Sequence, residues 1–130
     1  MSSIFTKIIN RDIPATIIAE DEKHIAFLDI LPLSPGHTLC IPKKEVDKLF
    51  DLSREDYSDL MDFTYTISSA LEKAIPCKRI GMAVLGLEVP HAHVHLVPLQ
   101  SEGDLNFTNK RLKFTPEEIK EIQERIQQFL

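Results

Sequence analysis

The sequence predicts an α+β domain whose antiparallel sheet is covered by helices, and three observations lead there. Short runs rich in β-branched residues recur without the regular helix–strand alternation of a doubly wound parallel sheet. Two of these runs, residues 16–20 and 24–28, are separated only by Asp21-Glu22-Lys23, which reads as the turn of a hairpin. A single long stretch after Ser53 repeats its apolar residues near every 3.6 positions. With 130 residues, one domain with a real buried core is the expectation.

Taken in order, Ile4, Phe5, Ile8 and Ile9 put one apolar side on about two turns of helix, and Pro14 ends any helix before it. The hairpin of residues 16–20 and 24–28 follows. Residues 29–36 hold two prolines and a glycine and read as a loop. Its Ile30, Leu31 and Leu33 are unusual for a solvent loop, so it is expected to fold over something. Residues 37–41 read as a third strand, stopped by Pro42, with His37 at its mouth. Ser53 with Glu55 and Asp56 is a helix start. The helix predicted from 54 to 75 is closed by Pro76, and Ala70, Leu71 and Ala74 give it a small apolar patch suited to close packing. Residues 79–85 read as a buried strand, and after the loop 86–90 a histidine-bearing strand runs from 91 to 98. Residues 100–114 have no pattern that assigns them. Thr115, Pro116 and Glu118 form a capping-box start for a last helix over 116–129 with Ile119, Ile122, Ile126 and Phe129 in its stripe.

Composition excludes several functions. A net charge of −5 gives no footprint for nucleic acid, and the Lys43-Lys44 pair is too short to supply one. No run is long enough to span a membrane, and the start has no leader-like apolar region. Cys40 and Cys77 make no disulfide framework or C-x-x-C pair. A reduced, cytoplasmic setting is the expectation.

The chemistry concentrates in His91-Ala92-His93-Val94-His95. On a strand, positions i, i+2 and i+4 share a face at a spacing of roughly 6.5–7 Å. The three imidazoles are therefore expected on one surface, with Ala92, Val94 and Leu96 turned into the core. Imidazoles on a rigid face suit nucleophilic, acid–base or metal chemistry. Three in a row span about 13 Å, too far for one ion, although two of them with His37 would serve.

The motif resembles that of the histidine triad (HIT) family, and the resemblance extends over about three-quarters of the chain. Ile4-Phe5-x-Lys7-Ile8-Ile9, Ile13-Pro14-Ala15, Ala26-Phe27-x-Asp29-Ile30, Pro35-Gly36-His37 and Ile41-Pro42-Lys43-Lys44 follow the Hint-like branch in order. The resemblance implies an antiparallel sheet of about five strands with a long helix, paired into a homodimer through that helix. It divides the chain into a catalytic domain over 1–100 and an extension over 101–130, whose helix packs on its own domain or on the partner. It implies a purine-nucleotide hydrolase, like a nucleoside phosphoramidase, in which His93 attacks the α-phosphate and forms a nucleotidyl-histidine. His91 would pair with His37 to orient the site, and His95 would contact the phosphate. His95, where the family's galactose branch carries Gln, favours hydrolysis over transfer. Asp29 would accept the ribose hydroxyls, while Ile4, Phe5, Ile8, Phe27 and Ile30 surround the base. Glu88 and Val89 belong to the loop that meets the phosphate. His24 matches no role and is expected to be exposed.

Two departures stand out. The family commonly has Gly-Gln-Ser/Thr-Val-x-His before the triad, whereas this chain has Gly86-Leu87-Glu88-Val89-Pro90-His91. Glu88 puts a carboxylate beside an anionic substrate, which suits a cationic leaving group such as an amine. Some bacterial relatives bind zinc through N-terminal cysteines at C-x-x-C, and Ser3 and Thr6 stand there instead. No metal and no cofactor are therefore expected. The alternatives are a nucleotide-binding or protein-interaction module with little turnover, and a metalloenzyme using His37 with two triad histidines.

Overall fold

The structure, a computed structural model, describes residues 2–130. Helix α1 spans Ile4–Ile9, strand β1 Ile17–Glu20, β2 His24–Leu28 and β3 Thr38–Pro42. Helix α2 spans Arg54–Ala74, β4 Arg79–Ala83, β5 Val94–Leu99 and helix α3 Pro116–Gln127. The strands form one five-stranded antiparallel sheet in the order β1-β2-β3-β5-β4. The predicted α+β class and the expected sheet are what the chain adopts.

The helix starts follow the local chemistry that the sequence advertises. Ser53 and Thr115 each accept a hydrogen bond from the third backbone N–H of their helix, and Thr115 with Glu118 closes a reciprocal capping box. Ser3 does the same for α1 through the Thr6 N–H. Leu60, Ile67, Ala70, Leu71 and Ala74 of α2 pack with Ala26, Cys40, Val94 and Leu96 of the sheet. On the opposite side Phe5 and Ile8 of α1 pack with Ile25, Phe27, Leu39 and Ile41. Each sheet face thus carries its own apolar layer, as alternation along β2, β3 and β5 requires.

Four expectations need correction. The small patch of Ala70, Leu71 and Ala74 is buried against the protein's own sheet, so close packing spends it inside the chain and leaves none of it for a partner. Residues 79–85 are not a buried strand. β4 has a neighbour on one side only, so Met82, Val84 and Leu85 stay exposed. His24 is buried rather than exposed, with Nδ1 3.0 Å from the Asp21 carboxylate and its ring stacked on Phe63. The histidine strand begins only at Val94. Before it, the His91 N–H donates to the Val89 carbonyl and the Ala92 N–H to the Val46 carbonyl, so the backbone has left the β3 ladder.

The segment 100–114, without a sequence pattern, runs back over the β2–β3 loop. There the Leu112 N–H donates to the Pro32 carbonyl and Arg111 Nη1 to the Leu31 carbonyl. Helix α3 then lies along β1, where the Gln123 and Gln127 side-chain amides donate to the Ile17 and Ile18 carbonyls. Those bonds occupy acceptors on an otherwise open sheet edge.

Candidate active site

The turn before β3, the loop before β5 and β5 itself bring the histidines together. His37 follows Gly36, whose φ of +89° and whose contact with Ile75 (a Cβ would sit 2.9 Å from Cγ1) admit only glycine without strain. That turn drops His37 beneath β5, where it is fully buried. Its Nδ1 accepts from the Leu33 N–H at 3.0 Å, so the proton of a neutral ring sits on Nε2. Nε2 lies 3.0 Å from His95 Nδ1 and donates to it, which leaves the His95 proton on Nε2, with no partner among the described residues. Burial pushes His37 down to about 4, helped by the charge of Arg111. Burial, with His93, His37 and Arg111 adding to it, pushes His95 down to about 3. Both are neutral at pH 7, and the His95 Nε2–H is a hydrogen-bond donor aimed by His37.

His93 is set differently. Its Nδ1–H donates to the His91 carbonyl at 2.6 Å, so Nε2 carries the free lone pair. The Phe5 ring meets its edge at 5.0 Å between centroids, and the His95 ring sits at 5.0 Å on the other side. In the neutral ring, Nε2 is left without a hydrogen-bond partner among the described residues, an arrangement suited to nucleophilic chemistry.

His91 does not join this face. Its Nε2–H donates to the Pro42 carbonyl at 2.8 Å and its Nδ1 accepts from the Ser3 hydroxyl at 2.8 Å. The Ser3 N–H and the Thr6 hydroxyl in turn both donate to Glu45 Oε1, at 2.6 and 2.7 Å. The implied His91–His37 pair is therefore corrected: His37 pairs with His95, because the irregular backbone at 91–93 turns His91 toward α1. Burial lowers His91, against the opposing pull of the Pro42 carbonyl and Glu45.

Ile4, Phe5, Ile8, Phe27, Asp29, Ile30, His37, Glu88, Val89, His93 and His95 all line one cavity of about 860 Å³, and His91 does not. Its apolar wall comes from α1 and β2. Asp29 is half-buried at its floor, accepting from the Leu31 N–H at 2.9 Å, and burial raises its carboxyl above the usual range. Asp29 Oδ2 is 3.6 Å from His37 Nε2, and these two with His95 are the described groups placed to hold a metal ion, their ligand atoms lying within 4.8 Å of one another. The set expected from the sequence, His37 with two triad histidines, is not what the fold gathers.

Sequence reasoning missed Glu45, Phe107 and Arg111. Phe107 packs edge-on against His95 at 4.7 Å and His37 at 6.2 Å, and the Arg111 guanidinium lies 5.5 Å from its ring centre. Both come from the patternless segment, and the only signal there was an aromatic and a basic residue amid polar ones.

The chain resembles known proteins over most of its length. The chain is 36% identical over 129 residues to the adenosine 5′-monophosphoramidase of Schizosaccharomyces pombe, covering 97% of this chain and 96% of that protein. It is 32% identical over 92 residues to the asymmetrical bis(5′-nucleosyl)-tetraphosphatase of the same organism, covering 64% of this chain and 50% of that one. A Hit-like protein from Bartonella henselae superposes with a TM-score of 0.86 at 30% identity, covering 99% of this chain and 96% of that chain. The HIT domain matches residues 10–102, a span that contains His37 and all three clustered histidines, and the chain belongs to the HIT family.

Proposed function

We propose that this protein is a purine-nucleotide hydrolase that cleaves nucleoside phosphoramidates or related nucleotidyl compounds through a nucleotidyl intermediate on His93. The observation that carries the reading is the His93 tautomer: Nδ1–H tied to the His91 carbonyl, Nε2 bare and facing the cavity. The family relatives named as a phosphoramidase and a tetraphosphatase support hydrolysis at a nucleotide phosphate.

In the first step the Nε2 lone pair attacks the α-phosphorus, an N–P bond forms and the P–N bond to the leaving group breaks. The departing nitrogen keeps that electron pair and takes a proton from water. In the second step water attacks the same phosphorus and the His93 N–P bond breaks. Its electron pair returns to Nε2, and the water's proton passes to solvent as nucleoside monophosphate leaves. The His95 Nε2–H donates to a phosphate oxygen as charge builds there, at no cost in reorientation because His37 holds the ring. Ile4, Phe5, Ile8, Phe27 and Ile30 enclose the base, Asp29 accepts from the ribose, and Glu88 with Val89 borders the leaving group. The working form is a homodimer in the cytoplasm. Its interface includes the open edge of β4, where Met82 and Val84 are exposed, and Tyr65 on the outer face of α2. Among the described residues no helix is long and apolar enough to cross a membrane.

The test is direct. Incubation with adenosine 5′-phosphoramidate, acid or base quench and peptide mass analysis should find AMP added to His93. Turnover that persists in His93→Ala removes the reading. A second reading, a binding module without turnover, draws on the exposed Leu87 and Glu88 at the cavity mouth. It predicts nucleotide binding with no AMP released. A metal reading rests on Asp29, His37 and His95 and predicts activity lost to chelator and restored by zinc.

A further inference from the structure

Residues 30–32 line the cavity between its apolar wall and the turn into His37, and little within the stretch itself holds them. Ile30 and Leu31 are exposed, so burial does not fix the loop, and Pro32 has no N–H to donate. The Asp29 N–H is tied to the His37 carbonyl, whereas the direction of its side chain is set by the Leu31 N–H, which donates to Oδ1 at 2.9 Å. Among the described residues, the hydrogen bonds that tie residues 30–32 to a distant part of the chain come from 80 positions further on. Arg111 Nη1 donates to the Leu31 carbonyl at 2.7 Å and the Leu112 N–H to the Pro32 carbonyl at 2.9 Å. Leu31 thus holds Asp29 by its N–H and is held by Arg111 at its carbonyl.

Arg111 is fixed from a second side. Its guanidinium lies 5.5 Å from the centre of the Phe107 ring, which packs edge-on against His95 at 4.7 Å. It makes no ion pair among the described residues, so charge neutralisation does not explain its place. What its position does is join the loop carrying Asp29 to the His95 end of the histidine row. With Oδ1 committed to the Leu31 N–H, Asp29 Oδ2 is free of hydrogen bonds among the described residues, 3.6 Å from His37 Nε2. An acceptor in a binding site works only in register with the other contacts, and a shift of about 1 Å can cost about a hundredfold. We propose that Arg111 is a positioning residue for the nucleotide's sugar: by clamping Leu31 it holds the Asp29 carboxylate where the 2′- and 3′-hydroxyls bind, and so gives the protein its selectivity for ribonucleotides. This assignment rests on the hydrolase reading and on Asp29 as its ribose acceptor. Residues 107–112, beyond the triad, then shape the site without touching the reacting atoms.

The experiment measures kcat and KM for the 5′-phosphoramidates of adenosine and of 2′,3′-dideoxyadenosine, which differ only in the hydroxyls. The wild-type protein should favour the adenosine compound in kcat/KM by about tenfold or more, the scale of one charge-assisted hydrogen bond. Asp29→Ala should abolish that preference. Arg111→Met keeps the length and apolar packing of the side chain but has no donor. It should raise KM for the adenosine compound by about tenfold with kcat within about threefold, and leave both constants for the dideoxy compound within about threefold. Arg111→Lys, which can donate to the Leu31 carbonyl, should recover part of the preference. In the Asp29→Ala background Arg111→Met should have no further effect on the adenosine compound. Equal loss on both compounds, an unchanged ratio, additive effects of the two substitutions, or no preference in the wild type overturns the proposal. If the wild type turns over neither compound, the hydrolase reading has failed, and calorimetry with AMP and 2′,3′-dideoxy-AMP decides the clamp separately. Tighter AMP binding that Arg111→Met abolishes supports it, and equal affinities or a difference that survives Arg111→Met overturn it.

Discussion

His91 and His93 are two residues apart, both buried, both touched by Phe5, and they do different things. His91 has both ring nitrogens bonded within the protein, to Ser3 and to Pro42. His93 has one bonded and one free. What separates the two imidazoles is the number of satisfied nitrogens, not burial or motif position. A ring with both nitrogens committed has no lone pair to offer without breaking a buried hydrogen bond, which costs on the order of 1–3 kcal/mol for the group left behind. The backbone joins the two: the His91 carbonyl fixes the orientation of the His93 ring.

The comparison breaks most sharply at His93. His93→Ala should reduce nucleotide release by about a thousandfold or more, as loss of a covalent nucleophile does, with little change in thermal midpoint. Comparable residual turnover measured by nucleotide release would mean that another group attacks. Next comes His95→Ala, which removes a donor from the developing charge and should lower kcat by about a hundredfold. A quench experiment should still find the His93 adduct, formed slowly.

The third prediction concerns protons. His37, held at about 4 against 6.5 unfolded, binds fewer protons folded than unfolded between those pH values. Stability is therefore full above about pH 6.5 and lost as pH falls toward 4, with His37 contributing about 3 kcal/mol over that window. Urea midpoints at pH 7, 5.5 and 4.5 should fall in that order, and a flat series would show that the buried pair is not neutral in the folded protein. The smallest effect sharpens the structural side of the comparison. Ser3→Ala removes both the cap of α1 and the donor to His91, and should cost about 1–2 kcal/mol of stability. Its kcat should stay within about tenfold of wild type, because His93 keeps its own acceptor. A loss as large as that of His95→Ala would make Ser3 part of the reacting machinery.

Much of this was legible in advance, for reasons that can be named. The helices announced themselves through Ser53 and Thr115, whose capping is chemistry within four residues. β2 was read at its full length because every residue of it satisfies the local pattern. β4 was misjudged because Ile80, Met82 and Val84 look the same whether a strand has one neighbour or two, and only sheet order distinguishes them. His24 was misjudged because its partners, Asp21 and Phe63, come one from a turn and one from a distant helix. In the candidate site, the apolar wall was visible as the resemblance of short segments, whereas Arg111 lay in a stretch with no period at all. Its segment is held by side-chain and backbone bonds to the β2–β3 loop, which leave no repeat in the sequence.

By itself the sequence determined the class of the fold, the helix starts and the gathering of imidazoles near residue 93, because these depend on propensity, capping and spacing along the chain. Only the tertiary structure decided which histidine pairs with which. The strand geometry that would have put His91, His93 and His95 on one face holds only from Val94 onward. Upstream of it, contacts with Val46, Pro42 and Ser3, 45 or more residues away along the chain, set the direction of each ring. Hydrogen-bond partners drawn from that distance are fixed by packing, and they direct the His91 ring and set the His91 carbonyl that holds His93 Nδ1–H.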